Sequence, residues 1–209
     1  MIDNESIPFF FKFKNNFPKL KDLNLEGNNL TDYYFFKSIQ SLKDLMILNV
    51  SRNEFYPPRN PNEKYFFNSM KEMILSNGVF DNNTIKIIQN FEIKNIELIN
   101  LSSNNLNSLD FINNNIHWEK LSTLLLNANN ISKIEKLNKF TGLKKLEIYE
   151  NPISNIEELK NLKKNIPDLQ IYASIIKDYN NINNNNNINN INNNIYERSS
   201  KIDSNYDDN

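Results

Sequence analysis

Apolar positions along this chain follow one recurring grammar, L-x-x-L-x-L-x-x-N-x-L. It reads at Leu20, Leu23, Leu25, Asn28 and Leu30, then at Leu45, Leu48, Val50, Asn53 and Phe55. A weaker copy runs through Met70, Met73, Leu75, Gly78 and Phe80. Three fuller copies follow: Ile96, Ile99, Leu101, Asn104, Leu106; Leu121, Leu124, Leu126, Asn129, Ile131; and Leu143, Leu146, Ile148, Asn151, Ile153. A last fragment, Ile166, Leu169 and Ile171, has the strand letters without the asparagine. The L-x-L centre predicts a short strand, because alternate side chains point to opposite faces and the two aliphatic ones point inward. The asparagine turns the chain out of the strand and offers a buried amide to backbone groups of neighbouring coils. Gly78 interrupts that ladder in the third copy, so the coil there is expected to be looser or re-bonded.

Between the copies lie the returning segments. Residues 32–41 (DYYFFKSIQS) and 83–91 (NTIKIIQNF) space their apolar residues as helices do, with Asp32 and Asn83 as N-caps. The stretch YPPRNPNEKYFF holds Pro57, Pro58 and Pro61, lacks three backbone donors, and is predicted irregular or extended. A period of 22–26 residues with this template identifies a leucine-rich repeat array. The predicted fold is an α/β solenoid: a concave parallel sheet of about seven short strands, with helical or irregular convex segments. One coil cannot bury its apolar face alone, so the coils share a continuous core.

The ends divide the chain into three parts. Residues 1–19 form an N-terminal segment in which Phe9, Phe10, Phe11, Phe13 and Phe17 are expected to lie as an aromatic lid on the first coil. Residues 20–176 form the repeat domain, closed by a helix over 154–164 that opens on Ser154 with Glu157 three residues later, a capping box. Residues 177–209, with the run NNINNNNNINNINNN, are expected to be disordered, because so polar a stretch buries too little apolar area to offset its chain entropy.

Composition narrows the chemistry. The 209 residues carry 24 Lys+Arg against 25 Asp+Glu, so no global field draws nucleic acid or an anionic membrane. Without cysteine there are no disulfides, thiolate nucleophiles or Cys-based zinc sites, and His117 is the single histidine. Asparagine makes up about a fifth of the chain. Only three glycines occur, in no phosphate-binding loop or dinucleotide fingerprint, and no catalytic motif is present. No cofactor and no enzymatic activity are expected. No apolar run approaches the ~20 residues that span a bilayer, and the N-terminus is a poor secretory signal. A cytoplasmic monomer is therefore the expectation, with the nucleus as the alternative.

The candidate site is the concave face. Its first column reads Asp22, Ile47, Glu72, Leu98, Thr123, Lys145, Asp168; its second Asn24, Asn49, Ile74, Asn100, Leu125, Glu147, Gln170; its third Glu26, Ser51, Ser76, Ser102, Asn127, Tyr149, Tyr172. Ile47, Ile74, Leu98 and Leu125 are apolar where the template permits polar residues, and with Asn100, Thr123, Tyr149 and Tyr172 they form a candidate docking patch for another protein. The bland alternative is that such residues simply favour strands. For His117-Trp118 an aromatic contact with the core outweighs a catalytic role. Lys144, Lys145, Lys160, Lys163 and Lys164 alternate with Glu147, Glu150, Glu157 and Glu158, which reads as a solvated mixed-charge face.

The order of segments over residues 17–153 is similar to the repeat domain of tubulin-folding cofactor E and its cofactor-E-like relatives. The stretches carrying it are FPKLKDLNLEGNNLTDYYFFKSIQSLKDLMILNVSRNEF, MKEMILSNGVFDNNTIKIIQNFEIKNIELINLSSNNL and LSTLLLNANNISKIEKLNKFTGLKKLEIYENPI. That resemblance implies a protein-binding spacer whose concave face contacts α-tubulin or a chaperone of the same pathway, with no ATP or metal. Full members also carry an N-terminal CAP-Gly domain, and full members and relatives alike a C-terminal ubiquitin-like domain; this sequence shows neither, so a divergent or truncated relative is expected. The closing stretch LKKLEIYENPISNIEELKNLKKNIPDLQIY also resembles the capping repeat of the spliceosomal A-prime protein and of acidic nuclear leucine-rich phosphoproteins, which implies a nuclear ribonucleoprotein role instead. A docking subunit of a phosphatase or kinase is a third reading.

Overall fold

The computed structural model describes residues 2–3, 17–56, 60, 62–78, 80–114, 116–174 and 195–197. Eight short strands form one parallel sheet. In spatial order they are β1 (Asp22–Asn24), β2 (Ile47–Asn49), β4 (Glu72–Ile74), β6 (Leu98–Asn100), β7 (Thr123–Leu125), β8 (Lys145–Ile148), β9 (Gln170–Ala173) and β10 (Ile195–Glu197). The remaining two, β3 (Tyr65–Phe66) and β5 (Phe91–Glu92), pair with each other in the returning segments. The register places Leu23, Leu48, Met73, Ile99, Leu124, Leu146 and Ile171 side by side in one inward column. From Leu48 onward all of them are buried.

The seventh strand departs from the template. Ile171, and not Leu169, stands in register with Leu146. Leu169 instead closes the turn before the strand, its N–H donating to the Ile166 carbonyl as Leu143 donates to Phe140. In β9 the concave columns therefore hold Gln170 and Tyr172, not Asp168 and Gln170. Within the segment expected to be disordered, Ile195–Glu197 pairs with β9; the rest of 177–209 lies outside the described residues. Phe9, Phe10, Phe11 and Phe13 lie outside them too, and Phe17 is about half exposed.

The asparagine ladder forms as the template requires. Asn53, Asn104, Asn129 and Asn151 are buried, and each donates its amide to a carbonyl of its own coil and to one of the preceding coil. Each side-chain oxygen accepts a backbone N–H of the preceding coil: Leu30, Phe80, Leu106 and Ile131 respectively. At the front, Ile2 N–H takes that role toward Asn28 (2.7 Å). At the break, position 78 has no side-chain acceptor for the coil before it, and the Gly78 N–H is re-bonded to Asn104 Oδ1 at 3.2 Å.

The residue preceding each ladder position is left-handed: Gly27, Arg52, Asn77, Ser103, Ala128 and Glu150, with φ between 52° and 67°. Five of these six are not glycine. The conformation is held by the sheet, since Gly27, Arg52, Asn77, Ser103 and Ala128 each donate their N–H to the next coil at 2.7–3.0 Å.

The returning segments differ from coil to coil. Residues Tyr34–Ile39 form a short helix whose capping residue is Tyr33, although Asp32 Oδ1 accepts the Tyr34 N–H at 2.8 Å. Thr84–Asn90 is a 3₁₀ helix, and the carboxylate that receives its first N–H groups belongs to Asp81 and not to the expected Asn83 side chain. Glu135–Lys139 is a second 3₁₀ segment. The closing helix, Ile156–Asn165, is capped by Asn155, whose oxygen accepts the Glu157 N–H at 3.1 Å; Ser154 stands one residue too early for the capping box expected of it. Of the proline-rich stretch, 57–59 and 61 lie outside the described residues, and Tyr65–Phe66 is extended. Aromatic rings fill the front of the core: Phe36 packs on Tyr33, Phe55, Tyr65 and Phe91, and Phe55 stacks on Phe80 at 5.8 Å.

Candidate functional site

All eight candidate residues lie on the concave face, and all are half-buried. Sheet register decides what they form together. Ile47 stands directly opposite Glu72, Ile74 opposite Asn49 and Asn100, Leu98 opposite Glu72 and Thr123, and Leu125 opposite Asn100 and Glu147. The four aliphatic residues thus meet only on diagonals, separated by about 7–8 Å, within reach of large side chains but not in a solid block. The face is a checkerboard in which each aliphatic group is flanked by an amide, a hydroxyl or a carboxylate. Among the described residues, Asp22 and Glu72 make no ion pair, whereas Glu26 is held by Arg52 at 3.5 Å and by Asn49 at 3.3 Å.

Toward β9 the face becomes a linked polar and aromatic cluster. Lys145 Nζ lies 2.6 Å from Glu147 Oε1 and 5.6 Å from the centre of the Tyr172 ring. Asn127 donates to Glu147 Oε2 at 2.9 Å and accepts the Tyr149 N–H at 2.8 Å. Tyr149 and Tyr172 come within 6.3 Å, centre to centre. Burial pushes the Glu147 carboxyl up, but the hydrogen bonds from Lys145 and Asn127 and the lysine charge together hold it below the ordinary glutamate value. The hydrogen bond to Glu147 raises Lys145 in turn. The two-residue slip of β9 is what brings Tyr172 beside Glu147 and Lys145. Asn127 and Lys145 were not among the candidates; their signal was position in the template columns, which does not show which neighbours pair.

On the opposite side, Trp118 is buried and stacks on Phe140 at 5.7 Å, while His117 is exposed. The core contact expected of the His117-Trp118 pair is thus made by the tryptophan. His117 borders two shallow clefts, one of about 440 Å³ with Trp118, Lys139 and Gly142, the other of about 330 Å³ with Phe91 and Lys94. Lys139 donates to the Asn113 and Ile116 carbonyls, and burial lowers its pKa. The expected mixed-charge face is seen at Lys145–Glu147 and Lys160–Glu157, while Lys163 donates to the Pro167 and Leu169 carbonyls.

Solved structures share this architecture. An internalin of Listeria monocytogenes matches with a TM-score of 0.60 at 19% identity, over 83% of this chain and 50% of its own. The human trophoblast glycoprotein 5T4 (Wnt-activated inhibitory factor 1) matches with a TM-score of 0.51 at 16% identity, over 73% of this chain and 58% of its own. The fold is a leucine-rich repeat solenoid. This chain spans about half the length of the internalin chain and somewhat more of the human one. No protein-family profile matches the sequence. No curated protein matches it either. In a leucine-rich repeat frame the template fixes the core and leaves the concave positions free, so the checkerboard and the tyrosine cluster belong to this chain's own choice of residues.

Proposed function

We propose that this chain is a non-enzymatic protein-binding scaffold that engages another protein through its concave face. One observation carries the proposal: eight parallel strands in unbroken order hold Ile47, Ile74, Leu98, Leu125, Tyr149 and Tyr172 half-exposed on one side, outside the core. Eight strands at about 4.8 Å span roughly 34 Å, a width over which a partner can contact several coils at once. Flanking amides and carboxylates give each aliphatic contact a hydrogen-bonding neighbour, which favours a chosen partner over indiscriminate adhesion.

Affinity capture tests it. A partner retained by the wild type is lost, with binding weakened about tenfold or more, from the doubly substituted Leu98→Asp, Leu125→Asp protein. Unchanged retention by a variant whose circular dichroism matches the wild type overturns the assignment of the face. The narrower tubulin-cofactor reading rests on the order of repeats over residues 17–153, and purified tubulin is its probe. Failure to retain tubulin removes that reading and leaves the scaffold intact. Imaging a tagged copy separates the cytoplasmic reading from the nuclear ribonucleoprotein one.

A further inference from the structure

The two ends of the sheet are chemically unlike. The β1 edge begins after Lys19 and Lys21 and opens with Asp22, all exposed. Charges so placed obstruct pairing with a further strand along β1 itself, and on that side residues 2–3 pair just beyond it, as a single bridge between Asp3 and Asn29. β9 reads Gln170, Ile171, Tyr172, Ala173, with no charged residue. Its outer edge is also the one that takes a further strand: β10 pairs with it in parallel, Ile195 opposite Ile171, Tyr196 opposite Tyr172 and Glu197 opposite Ala173.

This register repeats that of the inner strands. At β1–β2, Asn24 stands opposite Asn49, and the Leu25 N–H donates to the Asn49 carbonyl at 2.8 Å. Carried to β9–β10, the same relation sets the Ala173 N–H against the Tyr196 carbonyl and turns the Tyr196 N–H toward β9. By position, Tyr196 continues the second concave column beyond Glu147 and Tyr172. Docking of β10 therefore widens the concave face by one strand, about 4.8 Å, beside the tyrosine cluster.

We propose that the outer edge of β9 is a strand-acceptor surface, that its resident occupant is the chain's own Ile195–Glu197 segment, and that this occupant exchanges with the same segment supplied in trans. Twenty-one residues separate Ala173 from Ile195, a reach many times the spacing between adjacent strands. Covalent connection makes the pairing intramolecular, while a three-residue strand offers few main-chain bonds to hold it against a competing copy. Recognition is by main-chain hydrogen bonds, so it depends on the backbone at 196 more than on its side chain. The proposal is independent of what the concave face binds.

Amide exchange on the full chain tests it. Tyr196→Pro removes the N–H and fixes φ away from the parallel-strand value, whereas Tyr196→Ala keeps the backbone able to pair. In Tyr196→Pro the Ala173 amide exchanges about tenfold faster or more, while Leu124 and Leu146 keep their wild-type rates and so report an intact fold. Tyr196→Ala leaves Ala173 close to wild type. A peptide of residues 192–200, added at millimolar concentration to Tyr196→Pro, slows Ala173 exchange again. Equal Ala173 rates in wild type and Tyr196→Pro overturn the assignment of the resident strand. Failure of the peptide to restore protection overturns exchange in trans.

Discussion

Asn129 shows how much one side chain carries. Its amide donates to the Leu101 and Leu126 carbonyls, and its oxygen accepts the Leu106 N–H, all within the core. Asn129→Ala leaves buried backbone groups without partners, each at a cost of about 1–3 kcal/mol, so urea denaturation should show a loss at the upper end of that range or beyond. The residue before it acts in the opposite sense. Ala128 is left-handed at φ 52°, a conformation costing an L-residue roughly 1–2 kcal/mol. Ala128→Gly should therefore raise stability by about 0.5–1 kcal/mol, allowing for the greater freedom of glycine in the unfolded chain. Ala128→Val should lower it. The asparagines were legible in the sequence because they recur. The left-handed column was not, since arginine, asparagine, serine, alanine and glutamate share no chemistry that announces it. Glu147 adds a pH dependence. Its pKa is lowered on folding, so its contribution is present above the ordinary value of 4.5 and is lost as pH falls through the lower folded value. Glu147→Gln should flatten the stability profile in that acid window.

At the scale of elements, the aliphatic letters specified the inner strands because an L-x-L segment presents its two leucines to one side. Where a coil changed length, the letters misled. The seventh strand pairs through Ile171 because the closing helix and its turn leave Leu169 in the position of a turn-closing residue. The helix start also departs from the letters. Asn155 has extended backbone and reaches the Glu157 N–H. Asn155→Ala should cost about 1 kcal/mol in thermal or chemical denaturation, the usual loss for an N-cap. Ser154→Ala should be near neutral, and the reverse order would restore the capping box read from the sequence. Through β8 the candidate face was legible as an arrangement too: the template columns already set Ile47 beside Glu72, Ile74 beside Asn49 and Asn100, and Leu98 beside Thr123, as the register does. Only β9 was misplaced, because its turn shifts the pairing by two residues.

Across the whole molecule, two kinds of cohesion hold successive coils. In most of the stack the polar ladder and the sheet act together. Between the second and third coils the asparagine ladder is missing at Gly78, and the joint is held by the sheet, by the buried Ser51–Ser76 hydroxyl pair at 3.0 Å and by Phe55 stacked on Phe80. A Cβ at position 78 would approach the Asn53 carbonyl and Asn104 Oδ1 to 3.2 Å, so an asparagine is not simply admitted there. Apolar cohesion weakens on cooling. This solenoid therefore contains a cold-sensitive joint. Near 0 °C the amides flanking Phe55 and Phe80 should lose protection before those beside Asn129 and Asn151, and the stack should part into a two-coil piece and a longer remainder.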